Sequence, residues 1–186
     1  MHQQPCIVVI GSLNMDIVVE AERSPLLGET ILGKKAHFIS GGKGANQAVA
    51  IARLGAKTTM IGAVGNDDFG ASLIKSLDTE GINTEAVQVI EGVATGLASI
   101  LIAQGDNHIV VVPGANAHCV PENIEEQTKL ISKADIVLLQ LEIPIPTVRH
   151  AASLAKRLGK TVILNPAPAQ ELPDDLLQNV DYITPN

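Results

Sequence analysis

The sequence predicts an α/β protein. A mainly parallel sheet is flanked by helices in three layers, incomplete at its C-terminal end, and carries a small antiparallel β lid. Three observations lead there. Short aliphatic runs of strand length, at residues 6–10 and 136–141, alternate with helical stretches closed by glycine, as at Leu54-Gly55 and Leu158-Gly159. The chain is 46% apolar yet holds only two Phe, one Tyr and no Trp, so its core is built from Ile, Val, Leu and Ala. That composition suits strands covered on both faces. Finally, residues 16–39 and about 95–113 break the strand–helix rhythm and read as extended chain with polar residues interleaved, as in a sheet with one wet face.

Taken in order, residues 6–10 form the first buried strand, ending at Gly11-Ser12. Residues 16–21 and 31–39 are extended, with turns at Ser24-Pro25 and Gly28-Glu29 between them. Gly41-Gly42 opens a helix over 43–54, whose Ala45, Ala48 and Ala52 make a small face for close packing. A strand follows at 58–64. Asn66-Asp67 caps a helix from about 68 to 80, which Gly81 ends. Residues 87–90 are extended, and 97–103 with 108–112 form a hairpin about Gly105. Pro121 starts one helix reaching about Ser132, followed by a strand at 136–141, a helix at 147–158 and a strand at 161–164. A short helix at 173–178 and a last strand opening at Tyr182-Ile183 complete the pattern. Alternation in βαβ units implies parallel pairing within a single domain over 1–186, with lid strands inserted at about 16–39 and 95–113.

Thirteen basic against twenty acidic side chains leave a formal charge of −7, and no basic block is interleaved with aromatics. Such a chain repels a phosphate backbone, so nucleic acid is excluded as a partner. Cys6 and Cys119 are too few for a disulfide framework. The N-terminus lacks a basic region and a long apolar region, and no stretch nears the roughly 20 apolar residues of a membrane span. A cytoplasmic protein without membrane contact is expected. The five His are scattered without ligand spacing, so no metal site is expected, and there is no Gly-x-Ser-x-Gly elbow.

Ligands of open parallel sheets bind at the carboxyl ends of the strands. Ser12, Asn14 and Asp16 follow the first strand, Gln140 and Glu142 end another, and Asn165 and Asn186 follow two more. Asn14 and Asp16 alternate along extended backbone, so both side chains can face one way. A carboxylate accepts two hydroxyl hydrogen bonds and an amide both donates and accepts, which is what adjacent sugar hydroxyls require. The same residues also serve as turn and cap residues. Glu142 could also serve as an acid in the first turn of the next helix. The segment Ser40-Gly41-Gly42-Lys43-Gly44-Ala45-Asn46 lets a ligand approach backbone N–H groups at a helix start. It is not an ATPase phosphate loop, because Gly44 follows Lys43, nor a dinucleotide fingerprint, because Gln47 stands where the third glycine belongs.

Together these residues resemble the ribokinase-like (PfkB-type) carbohydrate kinases. The similarity is carried by Gly11-Ser-Leu-Asn-Met-Asp16, Pro25-x-x-Gly28-Glu29-Thr30, Gly41-Gly-Lys-Gly-Ala-Asn-Gln-Ala48, Gly65-Asn-Asp-Asp-Phe-Gly70, Leu139-Gln-Leu-Glu142, Asn165-Pro-Ala-Pro-Ala169 and Thr184-Pro-Asn186. The Gly-Gly-Lys-Gly-Ala-Asn and Asn-Pro-Ala-Pro-Ala forms are similar to the branch acting on ribose rather than adenosine or fructose. The resemblance implies ATP-dependent phosphorylation of D-ribose at its 5-hydroxyl, with MgATP and a potassium ion as cofactors and a homodimer formed through the lid. It implies sugar binding by Asn14, Asp16, Gly42, Lys43, Gly44, Ala45, Asn46 and Glu142, and a nucleotide-side role for Asn186. The family's second signature, Asp-Thr-x-Gly-Ala-Gly-Asp, has no counterpart in the sequence, and its last Asp is the catalytic base, expected beyond Asn186. Phosphoryl transfer rests on positioning and charge around the phosphates, so these residues alone are expected to be inactive. A non-catalytic sugar-binding or interaction module, or another sugar or nucleoside specificity, is the alternative.

Overall fold

The computed structural model describes residues 4–186, and its main sheet is organised around β1 (Cys6–Ile10). On one side β1 pairs in parallel with β4 (Lys57–Gly65), and β4 with β5 (Asn83–Ile90). On the other side it pairs in parallel with β8 (Ile136–Leu139), followed by β9 (Thr161–Leu164) and β10 (Tyr182–Ile183). The order is β10-β9-β8-β1-β4-β5. The chain leaves β1 in one direction and returns to its other flank at β8, which makes the crevice above these two strands a topological switch point.

Alternation along β1 sends its side chains to two separate cores. Val8 and Ile10 join Val137, Leu139 and residues of α3 (Pro121–Glu126) and α5 (Ile145–Arg157). Val9 packs instead with α1 (Lys43–Arg53), α2 (Asp68–Thr79) and Met60. Helices therefore cover both faces, giving the expected three layers. The other helices are α4 (Thr128–Ser132) and α6 (Asp174–Leu177). The single helix expected from Pro121 is broken at Gln127. There the Thr128 hydroxyl takes the Glu125 carbonyl, which a continuous helix would have offered to a backbone N–H.

The lid is a second sheet ordered β3-β2-β6-β7, from β2 (Asn14–Glu20), β3 (Lys35–Gly41), β6 (Gly96–Ala103) and β7 (Asp106–Val112). It is mixed rather than wholly antiparallel. β2–β3 and β6–β7 are antiparallel, but β2 and β6 run side by side in parallel. β2 follows β1 and β6 follows β5, and those are parallel strands of the body. Both excursions thus set out in one direction, and each returns against itself. Residues 31–34 precede the strand expected there, which occupies Lys35–Gly41. Phe38 of the lid lies 5.9 Å, between ring centroids, from Phe69 of α2.

Candidate functional site

A cavity of about 600 Å³ lies where the lid meets the switch point of the body. The lid supplies an apolar wall of Ala98, Ile100, Ile109 and Val111, and the body adds Leu141, Ile143, Pro144 and Pro168. Polar groups enter from three places: Asn14 and Asp16 on β2, Gly42, Lys43 and Asn46 at the start of α1, and Glu142 after β8.

Local chain geometry explains how these segments meet. Gly42 has φ +94°, and a Cβ on it would stand 2.8 Å from the Asn14 nitrogen and the Ser12 oxygen. Only glycine can turn the chain from β3 into α1 against that strand. Gly42 brings no side chain to cap the helix, and Glu142 serves instead. Its Oε2 accepts from the Lys43 backbone N–H at 3.0 Å and from the Ser12 hydroxyl at 2.5 Å. Its Oε1 lies 3.8 Å from Lys43 Nζ. The sequence allowed Glu142 as a helix-start acid for the helix that follows it; the helix it caps is α1, 99 residues earlier in the chain.

Asp16 is half-buried on the lid side. Burial, and then the negative charge of Glu142, push its carboxyl above the usual carboxylate range. Asn14, only 2% exposed, accepts at Oδ1 from Asn116 Nδ2 at 2.8 Å. The cavity thus combines a carboxylate, a second carboxylate beside an ammonium, and the amides of Asn14 and Asn46, against an apolar wall.

Six of the expected site residues, Asn14, Asp16, Gly42, Lys43, Asn46 and Glu142, line this one cavity. Gly44 and Ala45 do not. A Cβ at 44 would lie 2.7 Å from Ser12 N, so that glycine lets α1 press against the β1–β2 turn. Ala45 is buried in the core beneath, beside Val9 and Leu13. Asn186 stands apart, after β10, where its Oδ1 accepts from Asn165 Nδ2 at 3.2 Å. The apolar wall was readable only as lid strands. Asn116 was missed, for it sits in a Gly-Ala-Asn-Ala-His stretch and its partners Leu13 and Asn14 lie 103 and 102 residues away.

A parallel doubly wound sheet with a polar cavity at its switch point, under a β lid, places the chain in the α/β class whose ligands sit at the carboxyl ends of the strands. Residues 4–186 match the pfkB family carbohydrate kinases, and the chain belongs to that family. It is 43% identical over 180 residues to a ribokinase of Bacillus subtilis, covering 97% of this chain and 61% of that protein. It is 42% identical over 181 residues to a ribokinase of Haemophilus influenzae, covering 97% of this chain and 59% of the relative. The Arabidopsis thaliana ribokinase solved with ribose and ATP superposes with a TM-score of 0.90 at 37% identity, over 98% of this chain and 60% of that one. The chain thus spans about three fifths of the length of the relatives it matches.

Proposed function

We propose that the cavity binds ribose, as the sugar acceptor for ATP-dependent phosphoryl transfer to the 5-hydroxyl. The convergence of Asn14, Asp16, Lys43 and Glu142 on one cavity from three segments carries this reading. Ionised carboxylates accept from sugar hydroxyls, the amide and ammonium donate to them, and the aliphatic wall meets the C–H faces of the ring. The ribokinase relatives, one of them solved with ribose and ATP, support ribose over other sugars.

The described residues assemble the sugar's side of the reaction. Among them, no group of three or more His, Cys, Asp or Glu could hold a metal ion, and Asn186 Oδ1 is engaged by Asn165. These residues do not fit magnesium. Binding of MgATP and of potassium is assigned to residues outside the cavity, and this chain alone is expected to hold sugar without turnover. A homodimer through the lid is supported by the exposed apolar residues Phe38, Val110 and Val112. A cytoplasmic setting is supported by the two free cysteines. No helix among the described residues is long and apolar enough to cross a membrane.

Calorimetric titration with ribose, fructose and adenosine, alongside a coupled ADP-release assay with ribose and MgATP, tests the reading. Saturable binding of ribose in preference to the other two, without ADP release, is expected. A preference for adenosine would overturn the assignment, and turnover would overturn the claim that further residues are needed.

A further inference from the structure

We propose that Asn116 is a positioning residue that fixes which end of the Asn14 amide faces the sugar, and that this end is the donor, Nδ2. The ligand in this proposal rests on the ribose reading above; the polarity rests on hydrogen-bond geometry alone.

A backbone N–H can only donate and a carbonyl can only accept. Leu13 N lies 2.9 Å from one end of the Asn116 amide, which must therefore be the oxygen. Leu13 O and Pro113 O each lie 3.0 Å from the other end, which must therefore be the nitrogen. Three main-chain groups with no choice of role thus orient Asn116. Its Nδ2 then sits 2.8 Å from one end of the Asn14 amide. The reverse setting of Asn14 would put two NH₂ groups at that distance, donor against donor. Asn14 Oδ1 is accordingly held inward. The two hydrogens of Asn116 Nδ2 are shared among three oxygens, and the contact to Asn14 is the shortest of them.

Burial makes the arrangement binding. Asn116 is 1% exposed and Asn14 2%, so water competes little for the bond between them, while Asn14 still borders the cavity. The room for the bond comes from a third segment. Gly96, the register partner of Asn14 on β6, carries no side chain where a Cβ would fall 2.2 Å from Asn116 Nδ2 and 2.3 Å from Asn14 Oδ1. Strands β2 and β6 and the 3-10 turn after β7 (Gly114–His118) therefore meet at one amide pair.

The consequence is a direction of hydrogen bonding across the cavity. Asp16 and Glu142, when ionised, only accept; Asn14 contributes a fixed donor. Of neighbouring sugar hydroxyls, the one at Asn14 must accept from Nδ2, leaving its own hydrogen for a carboxylate.

Hydrogen exchange of the side-chain amides, read by NMR on ¹⁵N-labelled chain without ligand, tests the polarity directly. The Asn116 NH₂ is expected to be protected and the Asn14 NH₂ to exchange quickly; the reverse order would overturn the proposal whether or not ribose binds. Asn14→Asp keeps an oxygen for Asn116, turns the cavity-facing atom from donor to acceptor, and adds a negative charge to a cavity that already holds Asp16 and Glu142. It should melt below the parent, because the new carboxylate is buried, and bind ribose about tenfold or more weakly. Undiminished affinity would overturn the proposal. Asn116→Ser is then compared in the parent and in Asn14→Ala. A loss of affinity is expected in the parent only, whereas an equal loss in both would make Asn116 merely structural. A parent chain that binds no ribose would sink the sugar reading, and the exchange order would still decide the polarity.

Discussion

Asp16 holds its carboxyl above the ordinary carboxylate range because β2 buries it beside the charge of Glu142. The sign of the consequence differs for stability and for binding. A raised folded value means the protonated acid favours the fold; that contribution is present below the unfolded value, near about 3.9, and is lost as pH rises through the folded one. The ribose binding proposed for this cavity needs the ionised form as acceptor. Ribose affinity is therefore expected to fall on acidification at a higher pH than a free aspartate would impose, as calorimetry across a pH series would show. Asp16→Asn should remove that dependence, weaken ribose binding about 10–100-fold and raise the melting temperature slightly. Affinity unchanged in the variant would detach Asp16 from the site. Asp16, Asn14 and Glu142 were legible because each follows a strand that the apolar pattern marks. Asn116 was not, because its side chain is specified by the backbone of Leu13 and Pro113, which no local pattern reveals.

Among the elements, α2 has the most fully built start. Asp67 accepts from Gly70 N at 2.8 Å, and from the Thr95 hydroxyl and backbone N–H at 2.6 and 2.8 Å. Burial raises its carboxyl, but these bonds outweigh burial and leave it below the usual range. The same cap ties α2 to the segment from which β6 enters the lid. A depressed value contributes stability above the unfolded pKa and loses it as pH falls through the folded one. Asp67→Ala should cost about 1–2 kcal/mol near neutrality in urea unfolding, with the deficit shrinking in acid. A deficit independent of pH would contradict the cap's charge. The Asn66-Asp67 cap was readable from the sequence because its first partner lies three residues on. The cap that Glu142 provides for α1, and the parallel β2–β6 pairing, depend on where distant segments travel, which composition does not encode.

Among the described residues, apolar sheet surface is left exposed. On the lid, Phe38 is 63% and Val110 64% exposed, and at the sheet edge Tyr182 of β10 is 62% exposed. Exposed aliphatic faces and open edges favour association. Sedimentation is expected to show the chain self-associating at micromolar concentration; a clean monomer with a sharp, reversible melt would contradict this. The layered architecture was legible at this scale because strand and helix periods differ and glycines punctuate them. The mixed pairing within the lid was not. The central claim is that Asn14, Asp16, Lys43 and Glu142 form one ribose site, and thermal melting with and without ribose tests it most directly. Ligand at a hundredfold its Kd should stabilise the chain by about 2.7 kcal/mol, and Asp16→Asn at the same concentration by only about 0.4–1.4 kcal/mol. A melting temperature that ribose leaves unmoved, or moves equally in parent and variant, would contradict it.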